Sequence, residues 1–196
     1  MSVKTPLTIV KIGGNIIDNT TELSQFLLDF SKMEGAKLLV HGGGKSATKM
    51  AESIGLVPQM IEGRRITDAK MLEVVVMIYA GQINKEIVAK LQAHGVNAIG
   101  FSGADGNTIK STKRNHPTID YGFVGDVQKV NSSLLQTLIL NGITPVFCAI
   151  THDKKGQLLN TNADTIASEL AIALSEYFDV TLNYCFEKAG VLSDVE

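Results

Sequence analysis

The chain has 196 residues, a length that fits one large α/β unit, since domains commonly run to roughly 100–200 residues. Apolar residues make up 44% and charged residues 19%, enough to bury a substantial core and inconsistent with a disordered chain. Twenty acidic against 18 basic side chains leave a formal charge of −2, so the balance points to no nucleic-acid or membrane-surface partner.

The N-terminus runs from Met1 to Pro6 straight into an apolar strand, with no signal-peptide core. The longest apolar run, residues 74–80, falls far short of the roughly 20 residues a membrane span needs. The expectation is a cytoplasmic protein. Its two cysteines, Cys148 and Cys185, each sit in an apolar run; they form neither a disulfide framework nor a zinc site and are expected to stay reduced.

Residues 7–12 read as a short buried strand ended by Gly13-Gly14. A helix is predicted over 22–33, with Asn19 and Glu22 spaced as a capping box. Residues 37–40 form a second buried strand, closed by His41-Gly42-Gly43-Gly44, and a helix over 46–54 stops at Gly55 and Pro58. Residues 68–94 form the longest helical stretch, opened by Thr67 or Asp68. Its first half is apolar all round, so it is covered on more than one side, by the core or by a second subunit. A third strand covers 97–101, and residues 108–113 and 123–130 read as a β-hairpin. Asn131 or Ser132 caps a helix to Leu140, residues 144–150 are a buried strand, and Leu158-Leu159 follows a turn at 153–156. Residues 163–174 are helical and 180–186 make the last strand. Strands alternating with helices predict a three-layer α/β/α sandwich with a mainly parallel central sheet and a β-hairpin insertion.

Glycine-rich loops at the carboxyl ends of parallel strands are where such folds bind ligands. This chain has two, Lys11-Ile12-Gly13-Gly14 and His41-Gly42-Gly43-Gly44. Glycine lets backbone N–H groups approach an anion, and a following helix N-terminus adds partial positive charge. Neither loop is a Walker A motif, because Leu39 stands where its first glycine belongs, and neither spells a dinucleotide fingerprint. Arg64-Arg65 reads either as a solvated pair or as a clamp for a carboxylate. Asp164 reads either as a helix-start residue or as one that orients a lysine. No Ser/His/Asp or Cys/His set is recognisable, which leaves no nucleophile candidate.

Five segments occur in the order 9–14, 39–44, 63–67, 122–127 and 160–164: Ile-Val-Lys-Ile-Gly-Gly, Leu-Val-His-Gly-Gly-Gly, Gly-Arg-Arg-Ile-Thr, Gly-Phe-Val-Gly-Asp-Val and Asn-Thr-Asn-Ala-Asp. Together they resemble the acetylglutamate kinases of the amino-acid kinase family, over nearly the whole chain. The resemblance implies transfer of the γ-phosphoryl group of ATP, with Mg²⁺ held mainly by the nucleotide, to the γ-carboxylate of N-acetylglutamate in arginine biosynthesis. It implies that Lys11 contacts the transferring phosphoryl group and that Asp164 orients Lys11. Gly13 and Gly14 would donate to the nucleotide phosphates, and Glu187 would keep an acidic group where many relatives carry Ser-Asp near the nucleotide. Gly43 and Gly44 would hold the substrate, Arg65 its α-carboxylate and Asn160 its amide region. No protein-held metal is implied.

Relatives continue past the strand at 180–186 into a nucleotide-binding half with a second phosphoryl-contacting lysine, to which no residue here is assigned. The expected division is therefore residues 1–178 for acylglutamate binding and dimerisation, and 179–196 for the start of an incomplete nucleotide-binding part. On that basis the 196-residue chain is expected to keep its substrate pocket and lose most nucleotide affinity and turnover. The first strand begins near Leu7 and leaves no room for the extra helix of arginine-inhibited hexamers, so an arginine-insensitive homodimer joined through the long helix is expected. The alternatives are a kinase for N-succinylglutamate or another carboxylate acceptor, and a non-catalytic metabolite-binding module.

Overall fold

The computed structural model describes residues 4–61 and 64–186. Five strands form a parallel sheet in the order β11-β1-β2-β8-β5: β1 (Thr5–Ile12), β2 (Ala36–His41), β5 (Ala98–Phe101), β8 (Thr144–Cys148) and β11 (Phe178–Cys185). β2 and β8 are apolar almost throughout and buried on both faces, as a helix-covered parallel sheet requires. On one face lie α2 (Thr20–Lys32) and a long helical segment; on the other lie α6 (Ser132–Leu140) and α7 (Ala163–Leu174). The chain is thus an α/β/α sandwich around a mainly parallel sheet.

The capping box predicted at the start of α2 is present. The Asn19 side chain accepts from the amides of Thr21 and Glu22 and donates to the Glu22 carboxylate at 2.9 Å. Asp68 caps the long segment by accepting from the Met71 amide at 2.8 Å. That segment is not one regular helix. It consists of α4 (Ala69–Val76), a π-helical turn (Met77–Ile83) and α5 (Asn84–Ala93), and the middle turn bonds i to i+5 where a helix of uniform pitch was predicted.

The predicted strand over 144–150 divides. β8 ends at Cys148, and β9 (Ile150–His152) joins a separate sheet ordered β10-β9-β6-β7 with β10 (Leu158–Asn160), β6 (Ile109–Lys113) and β7 (Gly125–Val130). β6 and β7 are antiparallel, which makes them the predicted hairpin. Two short elements were not anticipated: α1 (Gly14–Asp18) and the pair β3 (Met60–Ile61) and β4 (Arg64–Arg65). Between them stands α3 (Gly44–Ser53). No described helix is long and apolar enough to cross a membrane. Both cysteines are free thiols, and burial pushes Cys148 up to about 12.

Candidate active site

β1 and β2 are neighbours, in register from Leu7 opposite Ala36 to Ile12 opposite His41. Both therefore end at the same level, and the glycine loops that follow them open onto one cleft of about 740 Å³. Lys11, Gly14, Gly43, Gly44, Arg65, Asn160 and Asp164 all line this cleft. The sequence-predicted residues thus converge, with two exceptions. The Gly13 amide is already engaged, donating to the Cys185 carbonyl at 3.0 Å as an extension of the sheet, which leaves Gly14 as the glycine of that loop on the cleft wall. Glu187 lies outside the described residues.

Lys11 is placed by the penultimate position of β1, and Asp164 by the first turn of α7. Their side chains meet at 2.8 Å, the lysine 16% and the aspartate 51% exposed. The ammonium is thus held by a carboxylate from one side in a mostly desolvated setting, where its charge acts more strongly than in water. Asn162 caps α7 through the Thr165 amide at 3.0 Å and so fixes the turn that carries Asp164.

Across the cleft, Arg65 on β4 donates from Nη2 to the Gly44 carbonyl at 2.9 Å and to Thr48 Oγ1 at 2.8 Å. These bonds tie the arginine to the first turn of α3, whose N-terminal amides have no intrahelical acceptor. Asn160 donates to Thr67 Oγ1 at 3.0 Å, and its amide donates to the Phe123 carbonyl, joining the second sheet to the loop before α4. Lys45 donates to Asn15 and so links α3 to α1 over the cleft mouth.

Two lining residues escaped the sequence reading. Tyr79, inside the apolar helical run, packs beneath Gly43 and beside Arg65; burial raises its hydroxyl pKa while the Arg65 guanidinium opposes that rise. Arg114, just after β6, pairs side-on with Asp126 at 2.5 and 3.0 Å. Asp126 belonged to a segment already singled out, but nothing in the spacing marked its partner.

A phosphate-bearing ligand fits the Gly14 and Gly44 helix starts together with Lys11 and Lys45. The Asp164 carboxylate is engaged with Lys11, and among the described residues no three His, Cys, Asp or Glu side chains cluster to hold an ion.

The model of the amino acid kinase family matches residues 6–181. The chain is 60% identical over 192 residues to the acetylglutamate kinase of Phocaeicola vulgatus, covering 98% of this chain and 75% of that protein. It is 36% identical over 194 residues to the acetylglutamate kinase of Methanopyrus kandleri, covering 97% and 75%. Among solved structures, the N-acetylglutamate synthase from Neisseria gonorrhoeae, complexed with coenzyme A and N-acetyl-glutamate, superposes with a TM-score of 0.80 at 20% identity. That match covers 95% of this chain and 42% of the other and speaks to the fold.

Proposed function

Because the chain belongs to the amino acid kinase family, and within it to the acetylglutamate kinases, we propose that its cleft transfers the γ-phosphoryl group of ATP to the γ-carboxylate of N-acetylglutamate, a step of arginine biosynthesis. The observation that carries this reading is the Lys11–Asp164 pair, standing in one cleft with both glycine loops.

A carboxylate oxygen of the acceptor attacks the γ-phosphorus, the bond from that phosphorus to the bridging oxygen breaks, and ADP leaves with its electron pair. The product is an acyl phosphate. The acceptor is already ionised at neutral pH, so the step needs no general base; the barrier lies in bringing two anions together. Lys11 offsets the charge that develops on the phosphoryl oxygens, Asp164 holds the ammonium in place, and the amides of the Gly43–Gly44 loop face the reacting carboxylate. Arg65, braced against Gly44 and Thr48, receives the α-carboxylate, and Asn160 the amide region. Gly14 and the start of α1 receive nucleotide phosphates. Mg²⁺ enters with the nucleotide as part of the substrate and neutralises phosphate charge.

The same reading assigns residues 1–178 to acylglutamate binding and dimerisation, and those from 179 onward to the nucleotide side. It places the protein in the cytoplasm as a homodimer joined through the α4–α5 segment.

Acyl phosphates react with hydroxylamine, which gives a direct assay. In a chain that carries the complete nucleotide-binding half, N-acetylglutamate with Mg-ATP is expected to yield the hydroxamate with a higher kcat/KM than N-succinylglutamate, glutamate or aspartate, while the 196-residue chain yields little. A preference for N-succinylglutamate would reassign the acyl group. Binding of N-acetylglutamate with no hydroxamate from any acceptor, in the chain with the complete nucleotide-binding half, would make the protein a metabolite-binding module instead.

A further inference from the structure

Beneath the second glycine loop lies a set of buried polar side chains that the transfer itself does not touch. His41 closes β2 and is fully buried. Its Nδ1 is 2.8 Å from the Gly42 carbonyl oxygen. A carbonyl can only accept, so Nδ1 carries the hydrogen. Its Nε2 is 3.0 Å from Asn84 Nδ2, and that same amide nitrogen is 2.9 Å from the Val146 carbonyl. The nitrogen therefore donates twice, and Nε2 accepts. The remaining Asn84 oxygen accepts from Lys85 Nζ at 3.2 Å. Donors and acceptors match with the imidazole neutral, and burial is the main cause that lowers its pKa to about 4, with Lys85 adding to the effect.

Asn84 reaches this position through the π-helical turn. Its own amide bonds to the Tyr79 carbonyl, five residues back. The wider turn brings Tyr79 and Ile83 against Gly43 and places the next side chain, Asn84, under His41. Gly100 leaves the room this requires, since a Cβ there would collide with the Asn84 amide.

The consequence for the loop follows from peptide geometry. In a planar trans peptide the C=O and the following N–H point in opposite directions. His41 holds the Gly42 oxygen on the buried side, so the Gly43 N–H points away from the ring. We infer that His41 and Asn84 are positioning residues for phosphoryl transfer: the relay from Asn84 through His41 to Gly42 fixes the plane of the Gly42–Gly43 peptide and so the aim of the amide that meets the reacting carboxylate. This role rests on the kinase reading above.

Nitrogen-15 spectra of histidine-labelled wild-type protein, with His41 assigned by its loss in His41→Phe, are expected to show the Nδ1–H tautomer at neutral pH. In Asn84→Leu made in a chain that carries the complete nucleotide-binding half, kcat is expected to fall by about 100-fold, the scale of a misaligned reacting group, while KM for N-acetylglutamate and ATP moves by less than about threefold. An Nε2–H tautomer in the wild type overturns the relay, whether or not Asn84→Leu folds. So does a folded Asn84→Leu protein with kcat within about threefold of wild type. A parent chain with the complete nucleotide-binding half that forms no acyl phosphate sinks the kinase reading, and with it the relay's part in transfer; an active parent with an indifferent Asn84→Leu sinks the relay alone.

Discussion

In a chain that carries the full C-terminal, nucleotide-binding half, replacing Lys11 with alanine is expected to lower the turnover number by about 10³-fold while KM for N-acetylglutamate changes by less than about threefold. The reasoning is electrostatic. Two unit charges about 4 Å apart interact by about 4 kcal/mol at the effective dielectric of a protein surface, against about 1 kcal/mol in water. Lys11 is the cation held between the two loops in a mostly desolvated position, 16% exposed and 2.8 Å from Asp164. Its removal takes the ammonium from between the approaching anions and leaves Asp164 as an uncompensated negative charge beside them. In the proposed function the acylglutamate is gripped elsewhere, by the wall that carries Arg65, so its ground-state binding is expected to survive. Lys11→Arg is not expected to rescue turnover, because a planar fork does not replace a compact ammonium. Steady-state kinetics with both variants decide the matter: a loss confined to KM would make Lys11 a substrate-binding group and remove it from the transfer step.

Gly43→Ala carries the second large effect, on stability as well as turnover. Gly43 has φ +151°, a conformation other residues rarely adopt, and a Cβ there would stand 2.5 Å from Ile83 Cδ1 and 3.0 Å from Tyr79 Cδ1. Both neighbours sit in the π-helical turn and are buried, so neither can swing aside cheaply. Backbone strain and overpacking together are expected to cost about 2–3 kcal/mol, a fall in Tm of about 6–10 °C for a domain of this size. Gly44→Ala is the control. Its Cβ would meet Tyr79 Oη at 3.8 Å and Arg65 Nη2 at 4.0 Å, ordinary contacts, and Gly44 already has helical backbone. Its Tm is expected to stay within about 2 °C of the parent. Equal melting temperatures for the two variants, read by calorimetry, would show that Gly43 is not under the constraint described.

The strands, the flanking helices and the two glycine loops were legible because each rests on a local rule. Short apolar runs ended by glycine mark β1 and β2, and Asn19 with Glu22 marks the start of α2. The convergence of Lys11 and Asp164, 153 positions apart, was legible through the resemblance, since no local pattern joins them. The π-helical turn was not legible. Residues 74–80 are an unbroken apolar run, so widening the turn leaves no gap in the hydrophobic pattern, although it decides where Tyr79, Ile83 and Asn84 point. The division of 144–150 was hidden for a similar reason: Cys148, Ala149 and Ile150 are all buried, and a chain that passes from one sheet to another inside the core keeps an unbroken apolar run. Gly13 shows the opposite limit. Its residue type suits a phosphate loop, yet its amide is taken by Cys185, a strand pairing that depends on the far end of the chain.

A crystal structure of a chain carrying the complete nucleotide-binding half, with N-acetylglutamate, ADP, Mg²⁺ and aluminium fluoride, tests most directly whether this cleft brings two anions into line. Both ligands are expected in the one cleft, with the fluoride complex between the ADP β-phosphate and the γ-carboxylate, Lys11 Nζ in hydrogen-bonding contact with it, and the Gly43 amide directed at the carboxylate. Ligands seated on separate faces, or a fluoride complex out of reach of Lys11, would contradict that expectation.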